Sequence, residues 1–481
     1  MPTKNVQSNM QLKSDRDKIA HLLRRFGLGA SEAELEYYVP KGLAGTIDAL
    51  LQPEGDDGFT AQPTRFALNN NNLNMRGAEA WWLSRMIITQ KPLREKLTVF
   101  WHDHFATSAE KVDAAIPMIA QNERIRAAAL GPFEDLLLSM SRDPAMIYWL
   151  DNQLNKKGKP NENFAREVME LFSLGIGHYT EVDVQEAARA FTGWGYGRRG
   201  PGGRQAVQEN RLPRAGVSFL FDENQHDEGI KTILGNKGNF NGDDVVGILT
   251  GHPQTATHIA KKMWEFFAYS DPDEKLVARL ASTYRSKGLR TAVLVRAIME
   301  APEFYSDRCV RKLYKNPVDF CIATLRSLGV GTQLKTLLDA DPESTQGRGV
   351  LAAMIQVSGT MKSMGMQMFY PPDVAGWEWG EAWISTSTMV ERMKWADKLF
   401  GPRGLLRQPA LRAGLGNALT GSDTEEDFVK SLCSLFDVPI PASKMPTLVE
   451  ASKRTDFNRD PLGAAANVSR LIFCLPEFQF A

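Results

Sequence analysis

Asn161-Glu162-Asn163-Phe164-Ala165-Arg166-Glu167-Val168-Met169-Glu170-Leu171-Phe172 is the stretch whose reading decides the fold. It fits a helix starting just after Pro160, with Asn161 as its cap, because a side-chain amide there accepts from the first free N–H groups of a helix. Arg166 and Glu170 lie four apart and Glu167 and Glu170 three apart, so these charges share one helix face. A second helix is predicted from near Thr180, where Asp183 three positions on completes a capping pattern, and it carries Glu186 and Arg189 at a similar offset. Around these two helices, residues 93–194 are dense in helix formers, with breaks at Pro132, at Pro144 and across Gly158 to Pro160.

Upstream, Ile19, Leu22, Leu23 and Phe26 are spaced as on one helix face, Gly27 and Gly29 stop that helix, and Ser31 with Glu34 starts the next. The Asn run at 69–72 reads as a loop, after which Trp81, Trp82, Leu83, Met86 and Ile87 resume helical spacing. Downstream of Gly193 glycines cluster and the helical period disappears until about Gly251, with Val217 to Phe221 as one short strand. Helical spacing returns at 255–267 and 276–298, and a last helical block is broken at Pro371-Pro372. The expected fold is mainly α: a multi-helix, bundle-like globular fold with an irregular Gly-rich insertion holding a short β-hairpin. The expected organisation is a flexible tail over 1–17, a main helical domain over 18–330 that includes the insertion 195–250, a loop or linker over 331–349, and a C-terminal helical region over 350–481.

Composition removes several classes. The chain has 481 residues, 43% hydrophobic and 24% charged, which argues against disorder. Lys plus Arg equals Asp plus Glu at 57 each, so the general pull toward nucleic acid is missing and no nucleic-acid partner is expected. Cys309, Cys321, Cys433 and Cys474 form no Cys-x-x-Cys pair and read as free thiols. No transmembrane segment is expected, since no stretch approaches the ~20 apolar residues needed. The first eighteen residues are polar and lack a signal-peptide core, which taken alone reads as cytoplasmic.

Two constellations carry chemistry. His102-Asp103-His104 sets two imidazoles two residues apart, a spacing that on a helix turns them about 200° from each other. One reading is a core histidine and a solvated one; the other is a metal or general-base site. The Glu and Arg residues of the two capped helices read either as a buried ion-pair network or as a carboxylate site, since helix bundles build di-metal centres from inward-facing Glu and His. On the functional reading Glu167, Glu170, Glu186 and His104 are the catalytic candidates, and His102, His104 and Glu170 would hold a divalent metal. Arg166, Arg189, Asn163, His226 and Trp377 are then the ligand contacts. His178 at the turn between the two helices reads as a ligand or a capping donor, and Arg198, Arg199 and Arg204 among glycines as a surface loop or an anion-binding one. Trp377, Trp379 and Trp383 read as buried rings or as a stacking surface for sugars or a partner.

Four segments bear a family likeness: His21-Leu22-Leu23-Arg24-Arg25-Phe26-Gly27, Phe100-Trp101-His102-Asp103-His104-Phe105, the run 161–194, and Phe369-Tyr370-Pro371-Pro372-Asp373-Val374-Ala375-Gly376-Trp377. With His226-Asp227-Glu228-Gly229 and His252-Pro253 they make the chain resemble the bacterial family catalogued as domain of unknown function 1800 over about residues 19–475. The resemblance carries no assigned reaction or catalytic residue. It implies an exported or periplasmic location and a sulfatase-like partner or a glycan, hence envelope or polysaccharide work, and the chain departs from it in showing no leader. Two functions stay open: a hydrolase or ligand-processing enzyme using the His/Glu/Arg site, and a non-catalytic scaffold or accessory protein that binds a partner, glycan or anionic ligand.

Overall fold

A computed structural model describes residues 12–67, 73–200, 203–206, 212–339, 345–413, 419 and 421–481, with the side chains at 199, 200, 203–206 and 345–348 left aside. Helices dominate it, and the local signals place many of their starts. Ser14 with Asp17, Ser31 with Glu34 and Thr180 with Asp183 each close a reciprocal capping box, and Asn161 accepts from the Asn163 N–H. The first helix is Asp15–Phe26, so the expected tail is already ordered at its last residues; residues 1–11 of that tail and the Asn run at 69–72 lie outside the described residues.

Two buried clusters form the core. One gathers Leu22, Phe26, Trp101, Phe133, Phe164 and Trp264; the other gathers Trp81, Trp82, Phe320, Met354, Trp395 and Phe473. Helix Pro92–His104 serves both, giving Leu93, Leu97, Phe100 and Trp101 to the first and Val99 to the second. Every residue of this helix from Leu97 to His104 is buried, the polar Thr98, His102, Asp103 and His104 included, so it runs through the interior between the two clusters.

The insertion contains more β structure than a single hairpin. Trp194–Gly200 is the middle strand of an antiparallel three-stranded sheet, flanked by Gly203–Ala206 and Val217–Phe221, and Lys231–Ile233 pairs with Asn236–Gly238. Trp194 and Tyr196 alternate inward with glycine between them, a period of two in a stretch that reads by composition as irregular. Helix Gly242–Gly251 begins earlier than expected because Asn241 and Asp244 cap it. Over 331–349, expected as loop or linker, the chain is helical on both sides: Val330–Asp339 buries Leu334, Leu337 and Leu338, and Thr345–Ser363 follows. Among the described residues, no helix is long and apolar enough to cross a membrane.

Candidate functional site

Helix Glu162–Met169 runs into a widened π-helical turn, Glu170–Leu174, whose Ser173 hydroxyl bonds back to the carbonyls of Val168 and Met169. Helix Glu181–Ala190 packs beside it. The expected charge partners are rearranged. Arg166 grips Glu181 on the second helix through both nitrogens, at 2.8 and 2.7 Å, and Glu162 at 3.3 Å, rather than Glu170. Glu170 instead takes the Tyr179 hydroxyl, and Glu167 is half-buried and makes no ion pair among the described residues, its carboxyl pushed up by burial and by Glu170.

Glu186 and Arg189 pair with each other at 2.8 Å, and Arg189 also forks onto Asp227 at 2.9 and 3.2 Å. That guanidinium draws Asp227 down to about 2. Gly229 passes so close that a β-carbon there would meet the Arg189 guanidinium at 2.5 Å. Glu186 further accepts from the Thr232 N–H at 3.0 Å. His226 is tied to the Thr192 carbonyl at 2.9 Å, and Asn163 donates to the Leu150 carbonyl at 3.1 Å. His178 is exposed, and Arg198 is held on the Ala215 carbonyl; the Arg199 and Arg204 side chains lie outside the described residues.

The imidazoles sit apart from these carboxylates, and neither is solvated. His102 is boxed by Trp82, Phe369 and Trp377, with ring centroids at 5.1, 5.4 and 6.0 Å, and neither of its nitrogens has a partner. Burial holds it down to about 3, so it is neutral. His104, on the opposite side of the helix, bonds the Phe172 carbonyl at 3.1 Å, and His258 bonds the neighbouring Leu171 carbonyl at 3.2 Å. The π-helical turn thus meets histidines through its backbone, while the Glu170 carboxylate is taken by Tyr179. Among the described residues, no three His, Cys, Asp or Glu side chains are grouped to hold a metal ion, and His102, His104 and Glu170 are not brought together.

Asp103 is the charged residue that the sequence reading passed over. Its two oxygens accept from the Trp377 backbone N–H at 2.7 Å and the Trp379 indole N–H at 2.6 Å. Gly376, at φ +92°, brings the chain so near that a β-carbon would collide with the carboxylate, and Phe369 accepts from the Ala109 N–H at 2.8 Å. The segments 100–105 and 369–379 therefore interlock as one buried knot. Trp377 and Trp383 are inside it rather than presented to a sugar, and Trp379 is half-buried against Phe266.

Helix Pro253–Phe267 closes the arrangement with His258 and Lys262 one turn apart. Lys262 is half-buried and makes no hydrogen bond or ion pair among the described residues; burial lowers its pKa. Burial, countered by the two indole-segment N–H bonds and Lys262, raises Asp103 to about 6, and burial with Lys262 lowers His258 to about 4. These are groups that could exchange protons, but both oxygens of Asp103 are occupied. The only sequence hint of His258 and Lys262 was their four-residue spacing beside the apolar Ile259 and Met263.

A family model described as protein of unknown function (DUF1800) matches residues 21–480 of the chain. Comparison with curated proteins and with solved structures finds no match.

Proposed function

We propose, for a chain that belongs to the DUF1800 family of proteins of unknown function, a binding role rather than a hydrolytic one: a helical scaffold or accessory protein that holds a ligand or partner. The observation that carries this reading is the use made of the nominated residues. Arg166 is committed to an ion pair at the surface, Glu186 and Arg189 to a half-buried one, Glu170 to a tyrosine, and His102 to an aromatic box. A two-carboxylate hydrolase needs an acid and a base facing one substrate from different surroundings. Here Glu167 and Glu170 share one helix face, whereas Glu186 is fastened to the 227–232 segment by Arg189 and the Thr232 N–H. The knot of 100–105 with 369–379 supports the same reading, because it spends the residues carrying the family likeness on joining two distant parts of the chain.

The test is a variant carrying Glu167→Gln, Glu170→Gln and Glu186→Gln together. It should stay folded, and any ester, glycoside or sulfate-ester hydrolysis measured with the unaltered protein should persist in it at an unchanged rate. A folded variant that loses a turnover shown by the unaltered protein would return the carboxylates to catalysis and end the scaffold reading.

A further inference from the structure

The segment His21-Leu22-Leu23-Arg24-Arg25-Phe26-Gly27 has no part in the assemblies above, yet it carries two adjacent guanidinium groups into the interior. Arg25 is 1% exposed and donates to the carbonyls of Cys309 at 2.6 Å and Ala268 at 3.2 Å and to the Cys309 thiol sulfur at 3.8 Å, with no carboxylate on it among the described residues. Arg24 reaches across 413 residues to Asp437, forking onto it at 2.8 and 3.1 Å. Arg311 shares that same carboxylate at 3.0 Å. Lys315 is buried beside them with its ammonium 3.8 Å from the Phe478 ring centroid, and it makes no hydrogen bond or ion pair among the described residues. Lys96 completes the group, paired with Asp319.

Five cationic side chains thus stand against two side-chain carboxylates, Asp437 and Asp319, and Asp319 is already taken up by Lys96. Arg24 Nε and Arg311 Nη1 are buried without partners. A desolvated charge without a counter-charge is among the most costly things a fold can contain, so a surplus of this size is kept where something else supplies the balance. The surplus is visible on its members: burial and the neighbouring guanidiniums draw Lys315 down to about 7, and Arg311 down to about 10.

Three of the cations, Arg24, Arg311 and Lys315, border open space. Lys315, Arg24, Asp319 and Asp437 line a narrow recess of about 20 Å³, room for one water-sized group. Arg24, Ala30 and Asp437 also line an adjoining chamber of about 450 Å³, to which Arg311 contributes and at whose edge Lys13 and Arg16 are balanced by Asp17 and Glu32. Ala481 also borders the recess. Forked guanidiniums and a compact ammonium are the groups that recognise phosphate and carboxylate oxygens.

We propose that the chamber binds a small multivalent oxyanion, a phosphate group or a dicarboxylate, with one of its oxygens seated in the recess, and with Arg24 and Arg311 in the chamber and Lys315 in the recess as its counter-charges. This gives the binding role proposed above a site and a ligand class, and rests on that reading. Occupancy would join helix Asp15–Phe26 to the segment around Asp437 through the ligand as well as through the Arg24 bond.

The experiment is thermal unfolding of the full chain at pH 7 in inorganic phosphate, in succinate, and in potassium chloride matched to each for ionic strength. Phosphate or succinate should raise the melting temperature in a saturable way, as a ligand of the folded state does, and chloride should not; the stronger of the two identifies the class. Lys315→Met removes the uncompensated charge, so it should melt higher than the unaltered protein without ligand and bind about tenfold or more weakly. If Lys315→Met does not fold, Lys315→Gln is read in the same way. Equal stabilisation by chloride, no response to either oxyanion, or a full response in the folded lysine variant would each overturn the proposal. Such a failure leaves the triple glutamine variant unaffected, so loss of the site and loss of the scaffold reading are told apart.

Discussion

The knot around Asp103 and the cavity around Lys315 are both built from buried charge, and they treat that charge in opposite ways. In the knot, one carboxylate has a donor for each oxygen, a glycine lets the partner loop press onto it, and aromatic rings fill what remains. In the cavity, guanidinium and ammonium groups outnumber carboxylates, donor atoms lack acceptors, and space is left beside them. Paired buried polarity holds a fold together, whereas unpaired buried polarity beside a void marks a place where something from outside completes the set. The exposed Arg166–Glu181 pair belongs to neither kind, since water already screens it.

The largest test of this contrast is Asp103→Ala. It leaves the buried Trp377 N–H and the half-buried Trp379 indole N–H without their acceptor and should lower the free energy of unfolding by about 3 kcal/mol. Denaturant unfolding followed by tryptophan fluorescence would measure it. A loss below about 1 kcal/mol would mean the two segments are held by their rings and that the carboxylate is incidental to the knot.

A second test uses pH on the cavity. Lys315 has its folded value drawn down to about 7, while an unfolded lysine keeps its proton to its ordinary value near 10.5. Between those limits the unfolded chain binds more protons than the folded one, so ligand-free stability should climb as pH rises from 7, by up to about 1.4 kcal/mol per unit. Below pH 7 both states are protonated at this lysine and its contribution is flat. Lys315→Met should remove the climb, and a slope that survives the substitution would assign it to another group.

Much of the fold was legible because it is written locally. The caps at Ser31, Asn161 and Thr180 are satisfied by residues two or three positions away, so the sequence alone identifies them. The site was not legible for the converse reason. Asp103 finds its acceptor role 274 residues downstream and Arg24 its partner 413 residues downstream, and nothing in local spacing chooses those partners. Glu170 and Arg166 have the right offset to pair, yet Glu181 and Tyr179 from the next turn outcompete that geometry. The helix Val330–Asp339 was a different failure: Leu334, Leu337 and Leu338 carry the helical period, and flanking glycines concealed it.

The smallest effect at neutral pH is also the sharpest test of the rule, because His102 is an unpaired buried polar group inside the knot. If lack of partners alone made a site, His102 would be one; but its ring is enclosed by Trp82, Phe369 and Trp377. His102→Leu keeps an apolar filling of similar size and removes two unsatisfied nitrogens, so at pH 7 it should be neutral or stabilising by about 1 kcal/mol. On the acid side the difference should widen. Burial holds the imidazole down to about 3, so as pH falls from about 6.5 toward 3 the unfolded chain takes up a proton that the folded chain refuses, and stability is lost in the unaltered protein but not, at this position, in the leucine variant. A loss of about 2 kcal/mol or more for His102→Leu at pH 7 would show that the imidazole is needed as such, and unpaired polarity would then mark function in the closed region as well as in the open one.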